Sequence, residues 1–180
     1  MEYRTLGRSG LKVSAISLGS WTTFGQSVDP QQTRACMERA YESGVNFFDG
    51  AEAYGNGAAE EAMGRVFRET GWPRDRLIVS TKVIRVGEAP TQRGLSRKHL
   101  VEAVEAALQR MGLDYVDLCF CHRPDPDTPP GEIVHTMNEL IGRGKVLYWG
   151  TSEFPADQLE TLYDIAARDG LNGPTMDQCK

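Results

Sequence analysis

The sequence predicts an α/β protein built on a parallel sheet covered by helices. Three observations carry this expectation. Apolar runs of strand length alternate with amphipathic runs of helix length along the chain. The strands are too apolar to be half exposed, as in sheets buried on both faces. The connections between them are short. Two architectures share the pattern, a doubly wound sheet and a (β/α) barrel. A dinucleotide-binding doubly wound domain carries GxGxxG after its first strand. Here that strand runs into LGSWTTFGQ, which does not match.

The elements follow in order. The opening YRTLGRSGLKVS reads as a short hairpin, and AISLG (15–19) as the first strand of the alternation. A helix is expected over DPQQTRACMERAYESG. Asp29 is placed to cap it, Pro30 fits its first turn and Gly44 its end. VNFFD is the next strand, and AAEEAMGRVFRETG a helix closed by Gly71. LIVSTK (77–82) is a strand. The clearest helix is SRKHLVEAVEAALQRMG, where Ser96 is the cap and Leu100, Val104, Ala107, Leu108 and Met111 form one apolar stripe. YVDLCFCH (115–122) is a strand, PGEIVHTMNELIGRG a helix, and VLYWGTS (146–152) a strand. PADQLETLYDIAARDG is a helix with Pro155 near its start, and PTMDQ begins one more strand.

The bulk properties narrow the function classes. The 180 residues fit a single domain, 1–180. The net charge is -5 and no basic block is longer than SRKH, so nucleic acid is not expected as a partner. No run approaches the roughly 18 apolar residues of a membrane span. The N-terminus MEYRTLGRSG lacks the apolar core of a signal peptide. The four cysteines, Cys36, Cys119, Cys121 and Cys179, show no CxxC spacing. No metal or disulfide is expected, and Cys119 and Cys121 suit burial on one face of a strand. The cytoplasm is the expected compartment.

Polar residues gather at the C-terminal ends of the strands. The first strand gives Ser20 and Trp21. The second gives Asp49, with Tyr54 just beyond. The third gives Lys82, the fourth His122, the fifth Ser152 and the sixth Gln178. One-handed crossovers put all these ends on one face, which in a barrel carries the active site. Taken singly, Asp49 reads as a helix cap, Tyr54 as packing, Lys82 as a snorkelling lysine and His122 as a structural histidine. Four such residues at successive strand mouths suggest chemistry instead. A lysine closing an apolar strand needs a buried partner, and Asp49 is the candidate.

That set suits proton donation to a carbonyl. A phenol, with a reference pKa of roughly 10, donates poorly at neutral pH, and an ammonium beside it favours the phenolate. Asp49 would hold Lys82 in place, His122 would orient the substrate oxygen, and Tyr54 would be the general acid. The carbonyl carbon must receive a hydride, for which a nicotinamide is the matching donor.

With these residues in view, the sequence resembles the aldo-keto reductases. The motifs are LGRSGLKVSAISLGSW, NFFDGAEAYG, STK, RMGLDYVDLCFCHRPDP and YWGTS. Within that superfamily, WTTFG, RGLSRKHL, HRPDPDTP and VLYWGTSEF are most similar to the branch of voltage-gated potassium channel β-subunits and their bacterial relatives. The resemblance implies a (β/α)8 TIM-type barrel that binds NADPH without a dinucleotide fold and reduces small aldehydes or ketones. It implies a catalytic tetrad of Asp49, Tyr54, Lys82 and His122. For the cofactor it implies contacts from Ser20, Trp21 and Gln26, with Asp49 bordering the ribose and Ser152 and Gln178 on the carboxamide.

Three residues depart from the pattern of the channel subunits. They carry Asn where this chain has His122, Thr where it has Gly50, and Arg where it has Glu153. Length departs as well. A barrel of this kind needs roughly 250 residues, so the chain is expected to end after about five and a half β-α units, as the N-terminal part of the fold. The cofactor grip would then be incomplete. The open sheet would expose edge strands that invite pairing into a homo-oligomer. Beside the reductase stand two alternatives: a nucleotide-binding regulatory β-subunit of a membrane channel, and an inactive truncated gene product.

Overall fold

A computed structural model describes residues 1–179 of the protein. The chain opens with a hairpin of β1 (Tyr3–Thr5) and β2 (Lys12–Ser14). The alternation follows as β3 (Leu18–Gly19), α1 (Pro30–Glu42), β4 (Phe47–Asp49), α2 (Ala58–Thr70), β5 (Ile78–Val83), α3 (Arg97–Met111), β6 (Val116–Cys121), α4 (Pro130–Gly142), β7 (Val146–Thr151) and α5 (Ala156–Asp169). Strands β3 to β7 form one parallel sheet whose spatial order is the chain order. Each helix packs on the next in sequence, α1 on α2 through to α5. A doubly wound sheet reverses its strand order at a switch point. This one does not, so its winding is that of a (β/α) barrel, of which five strands form one arc.

Local signals explain the elements. Asp29 accepts the N–H of Gln32 (2.8 Å) and Pro30 occupies the first helical turn of α1. Ser96 accepts the N–H of His99 to cap α3. Leu100, Val104, Ala107, Leu108 and Met111 are all buried against the sheet. Each such large apolar side chain contributes about 1.5–3 kcal/mol on burial. Gly64 brings α2 close to α3, since a Cβ there would lie 2.4 Å from the carbonyl oxygen of Arg110.

Period-two alternation divides the sheet into two faces. Val79, Val83, Cys119, Cys121 and Trp149 face the helices in the main core. Ile78, Leu118 and Phe120 face the other way, packed with Phe47 and Tyr148 and closed at one end by Leu6, Leu11 and Val13 of the hairpin region. Every residue of β5 and β6 is buried. Both Cys119 and Cys121 are buried as free thiols, and burial pushes the Cys121 thiol up to about 12.

Two expected strands are shorter than the apolar runs suggest. The 15–19 run pairs only at Leu18 and Gly19, and Ile16 before them is largely exposed. The PTMDQ segment forms a single bridge, Asp177 to Thr151. It is held by the N–H of Thr151 on Met176 O (3.0 Å) and the N–H of Gln178 on Thr151 O (2.9 Å). Gly150 admits it, because the Met176 carbonyl oxygen lies 2.3 Å from where a Cβ would be. Among the described residues no helix is long and apolar enough to cross a membrane.

Candidate active site

The site lies where β4, β5 and β6 end. Asp49 closes β4, and its register partner across the ladder is Ser80. Ser80 Oγ donates to Asp49 Oδ1 at 2.6 Å. Two residues along β5, on the same face, comes Lys82, which is fully buried. Its Nζ donates to Asp49 Oδ2 at 2.6 Å and to the carbonyl of Gly50 at 3.0 Å. The ammonium also lies 3.0 Å from the hydroxyl of Tyr54. A buried lysine without an anion would be costly. Here the anion and two further oxygens meet it.

Tyr54 arrives on a tight loop of small residues, with its N–H on Ala51 O (3.1 Å). Its ring is edge-on to His122, centroids 5.8 Å apart, and stacks on Trp21 at 6.2 Å. Trp21 is otherwise exposed at 68%, so it forms a wall of the mouth. His122 follows β6, its N–H on Val83 O (3.0 Å). Burial pushes its imidazole down to about 4, helped by the charges of Lys82 and Arg123. The ring is therefore neutral at physiological pH. Its Nδ1 is buried and has no hydrogen-bond partner among the described residues.

The residues expected at the cofactor are placed unequally. Ser20 is buried, and its Oγ donates to Asp49 O (2.9 Å), tying β3 to the site. Ser152 Oγ donates to Gln178 O (3.0 Å) and accepts from Arg123 (3.0 Å), so Ser152 and Gln178 meet at the next mouth. Gln26 stands apart. It lines a cleft of about 530 Å³ with Asp29, Glu61 and Arg65 that includes none of the four tetrad candidates. Among the described residues no group of three or more metal-ligating side chains comes together.

Sequence reading missed several polar groups. Arg123 pairs with Glu153 at 3.2 Å and anchors Ser152 beside His122. Behind β5, on the helix side, Glu60 accepts from Thr81 (2.5 Å) and from Arg110 (2.6 Å). Glu52 and His99 lie 3.3 Å apart, both buried. The available signal was Glu52 itself, a second carboxylate in NFFDGAEAYG, three residues after Asp49.

The aldo/keto reductase family model matches residues 15–178. The chain is 48% identical over 178 residues to a probable voltage-gated potassium channel subunit beta of Oryza sativa subsp. japonica, covering 99% of this chain and 54% of that protein. The same figures hold for a protein of that name from Arabidopsis thaliana. A putative voltage-gated potassium channel subunit beta of Schizosaccharomyces pombe is 46% identical over 181 residues, covering 99% and 53%. The chain spans about half the length of the curated relatives it matches.

Proposed function

The chain belongs to the aldo/keto reductase family, and from that premise we propose that it carries the proton-delivery machinery of an NADPH-dependent carbonyl reductase. The observation that supports this most is the position of the Lys82 ammonium, between the Asp49 carboxylate and the Tyr54 phenol. The proposed substrates are small aldehydes or ketones, reduced to alcohols.

The nicotinamide, when bound, supplies a hydride to the carbonyl carbon. Tyr54 then gives its O–H proton to the carbonyl oxygen. The Lys82 ammonium, 3.0 Å away, stabilises the phenolate left behind. Asp49 and the Gly50 carbonyl hold that ammonium, so the phenolate need not pay to order it. His122 is neutral and can donate a hydrogen bond to the carbonyl oxygen without carrying charge into the site. Trp21 shields one side of Tyr54 from water. The donor set fits the nicotinamide end of the cofactor. Ser152 Oγ, already donating to Gln178 O and accepting from Arg123, keeps one lone pair to accept from the carboxamide, and the Gln178 side-chain amide stands beside it with a donor and an acceptor. Ser20, whose Oγ is spent on Asp49 O, shapes the site and supports the first loop.

The test is Tyr54→Phe, read by NADPH fluorescence titration and by turnover. Cofactor binding should persist while kcat falls by about 10²–10⁴-fold, the usual contribution of a general acid. Unchanged turnover would remove Tyr54 from that role. The names of the relatives favour a second reading, a β-subunit of a voltage-gated potassium channel. Co-purification with a channel's cytoplasmic domain would support it.

A further inference from the structure

Glu52 sits between Asp49 and Tyr54 in sequence, yet it is fully buried beside His99 of α3. Its backbone N–H donates to the carbonyl of Lys82 at 3.2 Å. Its Oε1 accepts the N–H of Ile84 at 2.7 Å. One residue thus fastens the Tyr54 loop to β5 on both sides of Val83, immediately after Lys82.

The Glu60 carboxylate and the Cys119 thiol also feel the charge of Glu52. The remaining oxygen, Oε2, faces His99. It lies 3.3 Å from Nε2 of His99, which is 2% exposed. Neither atom has a hydrogen-bond partner among the described residues, so the 3.3 Å approach is a contact between two otherwise unsatisfied buried atoms. The other ring nitrogen, Nδ1, is 2.8 Å from the carbonyl oxygen of Gly94. A carbonyl only accepts, so Nδ1 carries a proton. In a neutral ring Nε2 would then be a bare lone pair facing a carboxylate oxygen. Two acceptors do not bond, and a buried contact of that kind is costly. An additional proton between them removes the conflict.

We propose that Glu52 and His99 share one buried proton and act as a positioning pair, holding the Tyr54 loop on the strand that carries Lys82. The surrounding charges agree with this. Burial works against a charged His99, but Glu52, the Gly94 carbonyl and Glu102 one turn along α3 outweigh it and raise its pKa. Asp125, in the loop after β6, also faces His99 electrostatically. The unfolded chain holds this proton only below about 6.5. The clamp is fully present below that value and is lost as pH rises through the higher folded value. Its weakening therefore belongs on the alkaline side.

The inference needs the reductase reading only for its kinetic meaning, so its test is spectroscopic. The chain has three histidines, and His99→Gln assigns the His99 ring signals in an NMR pH titration. The Cζ signal of Tyr54, assigned with Tyr54→Phe, reports the phenol's contact with Lys82. The decisive variant is Glu52→Gln. Its amide oxygen can still accept from Ile84, and its NH₂ can donate to a bare Nε2, so no extra proton is required. In the wild-type chain His99 should titrate above the ordinary imidazole value, and the Tyr54 signal should move with the same midpoint. In Glu52→Gln the His99 midpoint should drop to or below the ordinary value, and the alkaline movement of Tyr54 should vanish. Should Glu52→Gln fail to fold, His99→Gln tests the same loss at Tyr54. Identical His99 titration in wild type and Glu52→Gln would overturn the shared proton. A Tyr54 signal indifferent to His99 would overturn the positioning role. A chain that reduces no carbonyl would count against the reductase reading alone.

Discussion

Replacing His122 by Asn should remove a large part of the chain's sensitivity to mild acid. The unfolded chain takes up a proton at this imidazole near 6.5. The folded chain does so only near about 4, because the ring is buried and faces Lys82 and Arg123. Between those values the unfolded state binds more protons, so stability falls as pH falls. The contribution is fully present above 6.5 and is lost on the way down through 4. From pH 7.5 to pH 5 the two values give a loss of about 2 kcal/mol from this one group, an upper figure because the ring keeps some contact with solvent. Asn does not titrate, so the variant should lack that loss. The assay is urea unfolding of both proteins at the two pH values. With a slope of about 2 kcal/mol/M, the wild-type midpoint should drop by about 1 M more than that of His122→Asn. Other titrating groups, His99 among them, cancel in this double difference. Equal drops would refute the reasoning and mean that His122 is protonated in the folded chain as readily as in the unfolded one.

Two further outcomes concern the packing behind the site. Arg110→Ala should destabilise the chain by about 3–5 kcal/mol, because it strips a fully buried Glu60 of its cation; a loss below about 1 kcal/mol in urea unfolding would show that Glu60 is neutral there. Gly64→Ala should cost about 1–3 kcal/mol by overpacking, despite the better helix propensity of Ala, because the new Cβ would meet the backbone of Arg110 and Met111; a stabilised variant in thermal unfolding would mean that α2 and α3 can separate at little cost.

Much of the fold is legible in the chain because its signals are local. Asp29 and Ser96 cap their helices within one turn of where the sequence puts them. The apolar stripe of α3 faces the core as its period requires. The strand mouths were legible for a related reason, since a parallel βα repeat places all the C-terminal strand ends together. Hence Asp49, Tyr54, Lys82 and His122 fall into one group on sequence grounds alone. The Glu60–Thr81–Arg110 and Glu52–His99 clusters were not, because Glu60 and Arg110 are 50 residues apart and nothing local to either announces the other.

The order and type of the main elements, the faces they bury and the end of the sheet that carries the polar groups are legible in the chain alone. These depend on spacing along the chain, which caps and period-two or period-3.6 patterns encode directly. Which polar atoms touch is set only when strands and helices pack in three dimensions. The ladder register sets Asp49 opposite Ser80 and so within reach of Lys82. The alternation of β5 sends Lys82 to one face and Thr81 to the other, where the close approach of α2 and α3 supplies Glu60 and Arg110. Hydrogen bonds of under 3 Å depend on register and helix separation to within a fraction of an ångström, and no pattern along a single strand or helix specifies those.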